Sequence, residues 1–89
     1  MRAAKDELDS FVANLHRRLA AFVDGNHANR MDTLQRQWLS WADMQCEHSR
    51  GIYGKGSAGS LNAITCRELL YKDRLQELKK IYQDALVER

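Results

Sequence analysis

The sequence predicts an all-α domain of three helices. Apolar residues recur at steps of three and four over three long stretches, proline is absent, and four of the five glycines fall between Gly51 and Gly59. Punctuation concentrated in one place leaves long helices on either side of one flexible connector. At 89 residues the chain is read as a single helical domain over 1–89, too short for two.

The first helix spans about residues 4–23, where Leu8, Phe11, Val12, Leu15, Leu19, Phe22 and Val23 form one apolar stripe. Asp6 and Glu7 near its start suit the positive end of the helix dipole. Asp24-Gly25-Asn26 then reads as a stop, with Gly25 as a left-handed cap. The second helix runs from about Ala28 to His48, with Met31, Leu34, Trp38 and Trp41 on its stripe. Two indoles on one face are read as core. The third extends from about Ser60, a capping residue, to Val87 and carries Leu61, Ile64, Tyr71, Leu75, Leu78, Tyr82 and Leu86. About ten residues of Gly/Ser loop separate the last two helices.

Charge excludes several functions. The 14 basic and 12 acidic side chains leave a net +2, and each end of the chain holds both signs in near balance. A nucleic-acid binder gathers Lys and Arg on one face or tail, so Arg17-Arg18 and Lys79-Lys80 are read as solvated helix faces and no nucleic-acid partner is expected. A 44% hydrophobic content argues against a disordered tail. The longest apolar runs, Leu19–Val23 and Leu69–Tyr71, are far too short for a membrane span.

The loop Gly54-Lys55-Gly56-Ser57-Ala58-Gly59 matches the letters of a dinucleotide-binding turn. That chemistry needs a buried strand before the glycines and a helix after them, and no strand is predicted here. Ser57 stands where a Walker loop needs lysine, so the segment is read as a mobile surface connector and no cofactor is expected. His16 and His27 have no evident partner and are read as surface residues. Cys46, His48 and Cys66 do not make a familiar zinc pattern and lack a fourth ligand, so no metal is expected. Cys46 and His48 are two apart on a helix and point away from each other, which leaves no nucleophile–base pair and no enzyme. Cys46 and Cys66 bracket the loop. They are either a disulfide, worth roughly 3 kcal/mol of loop closure, or two buried thiols.

Gln35-x-x-Trp38, Asp43-x-x-Cys46, the Gly/Ser loop, and Cys66 followed by Leu70, Arg74 and Leu78 form a frame over about residues 31–80. This frame resembles the LprI-like lysozyme inhibitor family, small secreted bacterial helical domains. The family pattern is Q-x-x-W-x-x-x-R-D-x-x-C, a glycine–serine loop, then C-x-x-x-L-T-x-x-R-x-x-x-L. Two positions depart: Ala42 replaces the arginine before Asp43, and Tyr71 replaces the threonine. The resemblance implies a Cys46–Cys66 disulfide that staples the last two helices into a hairpin. It also implies structural roles for Gln35, Trp38, Trp41, Asp43, Arg74 and Leu78, and a periplasmic or secreted location. Met1–Glu7 has no apolar h-region, so the expectation is a mature chain with an added start rather than an intracellular member.

The implied function is a non-enzymatic envelope module that binds a protein partner, lysozyme being the partner the family suggests. Tyr53, Lys55, Ser57 and Ser60 of the loop are the expected contact residues, with Tyr53 as aromatic anchor. The alternative is a helical homo-oligomer or an accessory interaction protein of unknown partner.

Overall fold

A computed structural model describes residues 3–54 and 56–86 of the chain. Helix α1 spans Ala4–Phe22, α2 Gly25–Ile52 and α3 Ser57–Ile81, and a single extra turn, α4, covers Gln83–Leu86. They form an elongated bundle with principal extents of 50 × 26 × 17 Å. Antiparallel α2 and α3 make the long hairpin, and α1 packs on both.

Helix α1 follows its sequence stripe closely. Leu8 and Leu15 are fully buried, Leu19 nearly so, and Phe11 and Val12 flank them. The stripe ends early, because Phe22 and Val23 lie exposed at the turn. Gly25 is not a left-handed cap. It is the first residue of α2, and the only glycines at positive φ are Gly54 and Gly56. Asp24 makes the junction instead. Its backbone is extended and its carboxylate accepts a 2.7 Å hydrogen bond from the His27 backbone N–H, satisfying an otherwise orphaned donor. Helix α2 therefore starts three residues before the expected point.

The buried face of α2 differs from the predicted one. Ala28, Met31, Gln35, Ala42 and Cys46 point inward, Trp38 is half-buried, and Leu34 and Trp41 are exposed. Small side chains let the helices approach closely, so the heavier Leu34 and Trp41 are turned out to the flank. The same applies to α3, where Gly59, Ala63, Tyr71 and Leu78 are buried while Leu61 and Ile64 face solvent. Gly51 and Gly59 are helical, which shortens the connector to Tyr53–Gly56. Ser60 consequently sits inside α3 and caps nothing. The third helix stops at Ile81, and Tyr82 makes the break before α4. The predicted end at Val87 lies outside the described residues.

The core is one cluster: Ala4, Leu8, Leu15 and Leu19 of α1, Ala28 and Met31 of α2, and Tyr71 and Leu78 of α3. It occupies the three-helix part of the bundle. Beyond it, the hairpin end is held by other means.

Candidate functional site

Cys46 of α2 and Cys66 of α3 form a disulfide with a Cα–Cα distance of 5.6 Å across a sequence separation of 20. Cys46 is fully buried. Polar pairs brace the helices on either side of it. Arg67 reaches from α3 to Asp43 at 3.3 Å and to Glu47 at 2.9 Å on α2. The Arg67 hydrogen bond holds the Glu47 carboxyl below its ordinary pKa, and Glu47 and Asp43 together raise that of Arg67. Ser49 donates to the Asn62 side-chain oxygen at 2.7 Å.

Towards the core, the motif residues interlock. The Arg74 Nε donates to Gln35 Oε1 at 3.0 Å, its guanidinium lies 5.3 Å from the Trp38 ring centre, and its other arm pairs with Glu77. Trp38 in turn meets both Trp41 and Tyr71 with ring centres 6.2 Å apart. Arginine is suited to this place because its planar fork can stack on an indole and donate sideways at once. Leu78 completes the packing one helical turn beyond Arg74 and is buried. Gln35, Trp38, Asp43, Arg74 and Leu78 thus all lie along the α2–α3 seam. Trp41 joins them only by its contact with Trp38 and is half exposed. The two departures from the pattern are structural: Ala42 is fully buried, and Tyr71 belongs to the core.

The hairpin end itself is tight. A Cβ built at Gly59 would overlap Gly54 O and lie 3.2 Å from Arg50 O, so only glycine lets α3 start against the end of α2. Gly54 and Gly56, at φ of 82° and 102°, make the reversal. Ile52 and Tyr53 are 69% and 61% exposed at this end, where a hydrophobic side chain gains nothing from the fold. Ser57 and Ser60 are also exposed, on the first turn of α3. Beside them lies a hollow of about 430 Å³ lined by Glu47, Arg50, Gly51, Gly54 and Gly56. Three of the four expected contact residues, Tyr53, Ser57 and Ser60, are therefore brought to one end of the molecule. Lys55 lies outside the described residues.

His16 and His27 have neighbours that the sequence did not suggest. His27 Nδ1 lies 2.8 Å from the Asp24 carboxylate, and His16 Nδ1 of α1 lies 2.8 Å from Asp32 of α2. The His16 contact lacks the direction of a hydrogen bond. The disulfide removes Cys46 and Cys66 from any metal or nucleophile role. Among the described residues, no cluster of three or more His, Cys, Asp or Glu is placed to hold a metal ion. Arg67 was missed in the sequence, although its place directly after Cys66 puts it at the seam. Gly59 was read as loop because a helical glycine and a breaker look alike in one dimension.

These features define a small all-α domain whose terminal hairpin is stapled by a disulfide and braced by arginine–carboxylate bridges. The family model of the lysozyme inhibitor LprI matches residues 1–78 of the chain, and the chain belongs to that family. A search of the curated proteins and of the solved structures found no match. No helix among the described residues is long and apolar enough to cross a membrane.

Proposed function

We propose that this chain is a non-enzymatic protein-binding module of the bacterial envelope, periplasmic or secreted, and that it inhibits a lysozyme by docking its hairpin end against the enzyme. The observation that carries this reading is the pairing of a rigid base with an exposed aromatic tip. The disulfide, the Arg67 bridges and the seated Gly59 hold α2 and α3 in place, while Tyr53 and Ile52 project unshielded. A pre-ordered element loses little conformational freedom on binding, and a rigid aromatic supplies much contact area. Lys55, Ser57 and Ser60 would add polar contacts around Tyr53. A net charge of +2 offers little long-range steering towards a basic lysozyme, so affinity would rest on this contact surface.

The test is a cell-wall lysis assay with a panel of lysozymes. The full chain should inhibit at least one of them, and Tyr53→Ala should weaken inhibition about tenfold or more. The melting temperature should stay unchanged, because Tyr53 packs against little. Absence of inhibition across the panel, or full inhibition by Tyr53→Ala, would overturn the reading.

Exposed Leu34 and Trp41, one heptad apart on α2, favour a second reading, self-association or accessory binding through that stripe. A mass that rises with concentration and is restored to the monomer by Trp41→Glu would support it.

A further inference from the structure

At the end of the bundle opposite the hairpin, α3 stops at Ile81, and the α4 turn packs on α1 and α3 but not on α2. The first turns of α2 are left uncovered on that side. A hollow of about 400 Å³ opens there between α2, the end of α1 and Tyr82. Its floor belongs to the core, where Leu19 and Met31 are buried. Its walls are Val23 and Leu34, which are 55% and 54% exposed. Apolar walls open to water gain free energy when a ligand covers them. None of these residues belongs to the hairpin end or to the proposed lysozyme contact.

The other three lining residues are polar. Arg30 is exposed, so solvent reaches its guanidinium, and it makes no ion pair among the described residues. His27 is tied through Nδ1 to Asp24 at 2.8 Å. Asp24 is taken up by that ring and by the His27 backbone N–H, and it does not line the hollow. Tyr82 adds a hydroxyl. None of the lining residues is an acid. That balance selects among ligands. An amine or a sugar would bring donors to a rim that has no carboxylate to receive them. An inorganic anion would satisfy Arg30 and leave the walls bare, whereas a hydrocarbon would take water from the guanidinium and return no acceptor. An apolar chain ending in an anionic head meets both needs. Leu34 stands one turn from Arg30 on the same face of α2, so the aliphatic stem of Arg30 can continue the apolar wall while its planar fork receives carboxylate or phosphate oxygens.

We infer that this hollow is a binding site for a single-chain anionic amphiphile, a fatty acid or an alkyl phosphate, with the chain against Leu19, Val23, Met31 and Leu34 and the head on Arg30. It shares no residue with the Tyr53 contact, so amphiphile binding and lysozyme inhibition stand or fall separately.

The test is an NMR titration of the ¹⁵N-labelled full chain with sodium dodecanoate, kept below its micelle threshold and taken to about 5 mM to capture weak single-site binding. The expected result is a saturable shift of the backbone amides of Val23, Arg30, Met31 and Leu34. Octanoate, with a shorter chain, should bind at least about tenfold more weakly, and acetate should produce no shift. Dodecyl maltoside and dodecyltrimethylammonium carry the same chain without an anionic head and should also lose about tenfold or more. Arg30→Glu changes an exposed side chain that has no ion pair to lose, so the fold should stay intact. It should weaken dodecanoate about tenfold or more and turn the preference towards the trimethylammonium head. Leu34→Ser should weaken every dodecyl compound. The inference is overturned if acetate or dodecyl maltoside matches dodecanoate, or if either variant binds dodecanoate as the parent chain does. Shifts that appear only with micelles, or only with phosphatidylglycerol vesicles, would overturn it too.

Discussion

Replacing Gly59 by alanine would force a methyl group into the backbone of the neighbouring helix end. The new carbon would overlap Gly54 O and come within 3.2 Å of Arg50 O and 3.3 Å of the Gly54 carbonyl carbon. All three are backbone atoms, so no side chain can swing aside. Seven residues further on, the Cys46–Cys66 bridge prevents the two helices from separating as a whole. The overlap must therefore be relieved by distorting Arg50–Gly54. Overpacking of this kind costs about 1–3 kcal/mol, whereas alanine in place of a helical glycine recovers up to about 1 kcal/mol. The net expectation is a loss of about 1–2 kcal/mol, a fall in Tm of roughly 5–15 °C for a chain of this size. Gly51→Ala supplies the control. Gly51 is also helical, its Cβ would meet nothing within 4 Å, and its stability should rise by about 0.5–1 kcal/mol. Urea unfolding followed by helical circular dichroism measures both. If Gly59→Ala proves as stable as the parent chain, or if the two variants shift alike, the close seating of α3 on α2 is wrong.

Three further outcomes follow from the seam and from the α1–α2 junction. Reduction should lower stability by about 3 kcal/mol through loop-closure entropy, and native protein should resist alkylation until reduced, as intact mass will report. An unchanged melting curve under reductant would contradict it. Arg74→Lys keeps the charge but loses the sideways bond to Gln35 and the planar stack on Trp38; it should cost about 1–3 kcal/mol and alter tryptophan fluorescence, and an unperturbed variant would count against the interlock. Acid should destabilise the fold through two carboxylates. The His27 backbone N–H holds Asp24 below its ordinary value, and the Arg67 hydrogen bond does the same for Glu47. Because both pKa values are lower folded than unfolded, their stabilisation is complete above the usual carboxylate range, near about pH 4, and is lost as pH falls through the depressed values. The Asp24→Asn/Glu47→Gln pair should flatten that acid limb in pH-dependent melts.

The parts of the molecule that were legible from sequence share one property: their signal is carried by large apolar side chains that end up buried. Leu8, Leu15 and Leu19 are such a case, and α1 was read nearly to the residue. On α2 the signal reversed, because Leu34 and Trp41 outweigh Ala28 and Ala42 in any hydrophobic reading. Close helix approach rewards the small residue, and tertiary packing decided the face. Gly51 and Gly54 could not be separated in the sequence, since helical and positive-φ glycines differ only in a backbone angle. The cysteine pair, together with Gln35, Trp38 and Arg74, marked the right elements. The Arg74–Gln35 bond nevertheless lies 39 residues apart in sequence, beyond any local pattern. Tyr53, Ser57 and Ser60 reach the hairpin end because they lie at the connection between two antiparallel helices, and that placement follows from topology alone.

The bridge between Cys46 and Cys66 also decides what happens when the backbone is cut. A single nick between residues 47 and 65 leaves both fragments joined through sulfur, so a protease that clips the exposed turn yields one molecule with two new ends rather than two pieces. A nick at the Val23–Asp24 junction has the opposite effect, since α1 is retained only by non-covalent contacts and can diffuse away. In a protease-rich surrounding, the stapled hairpin is the part that survives cleavage, and the first helix is the part that is lost.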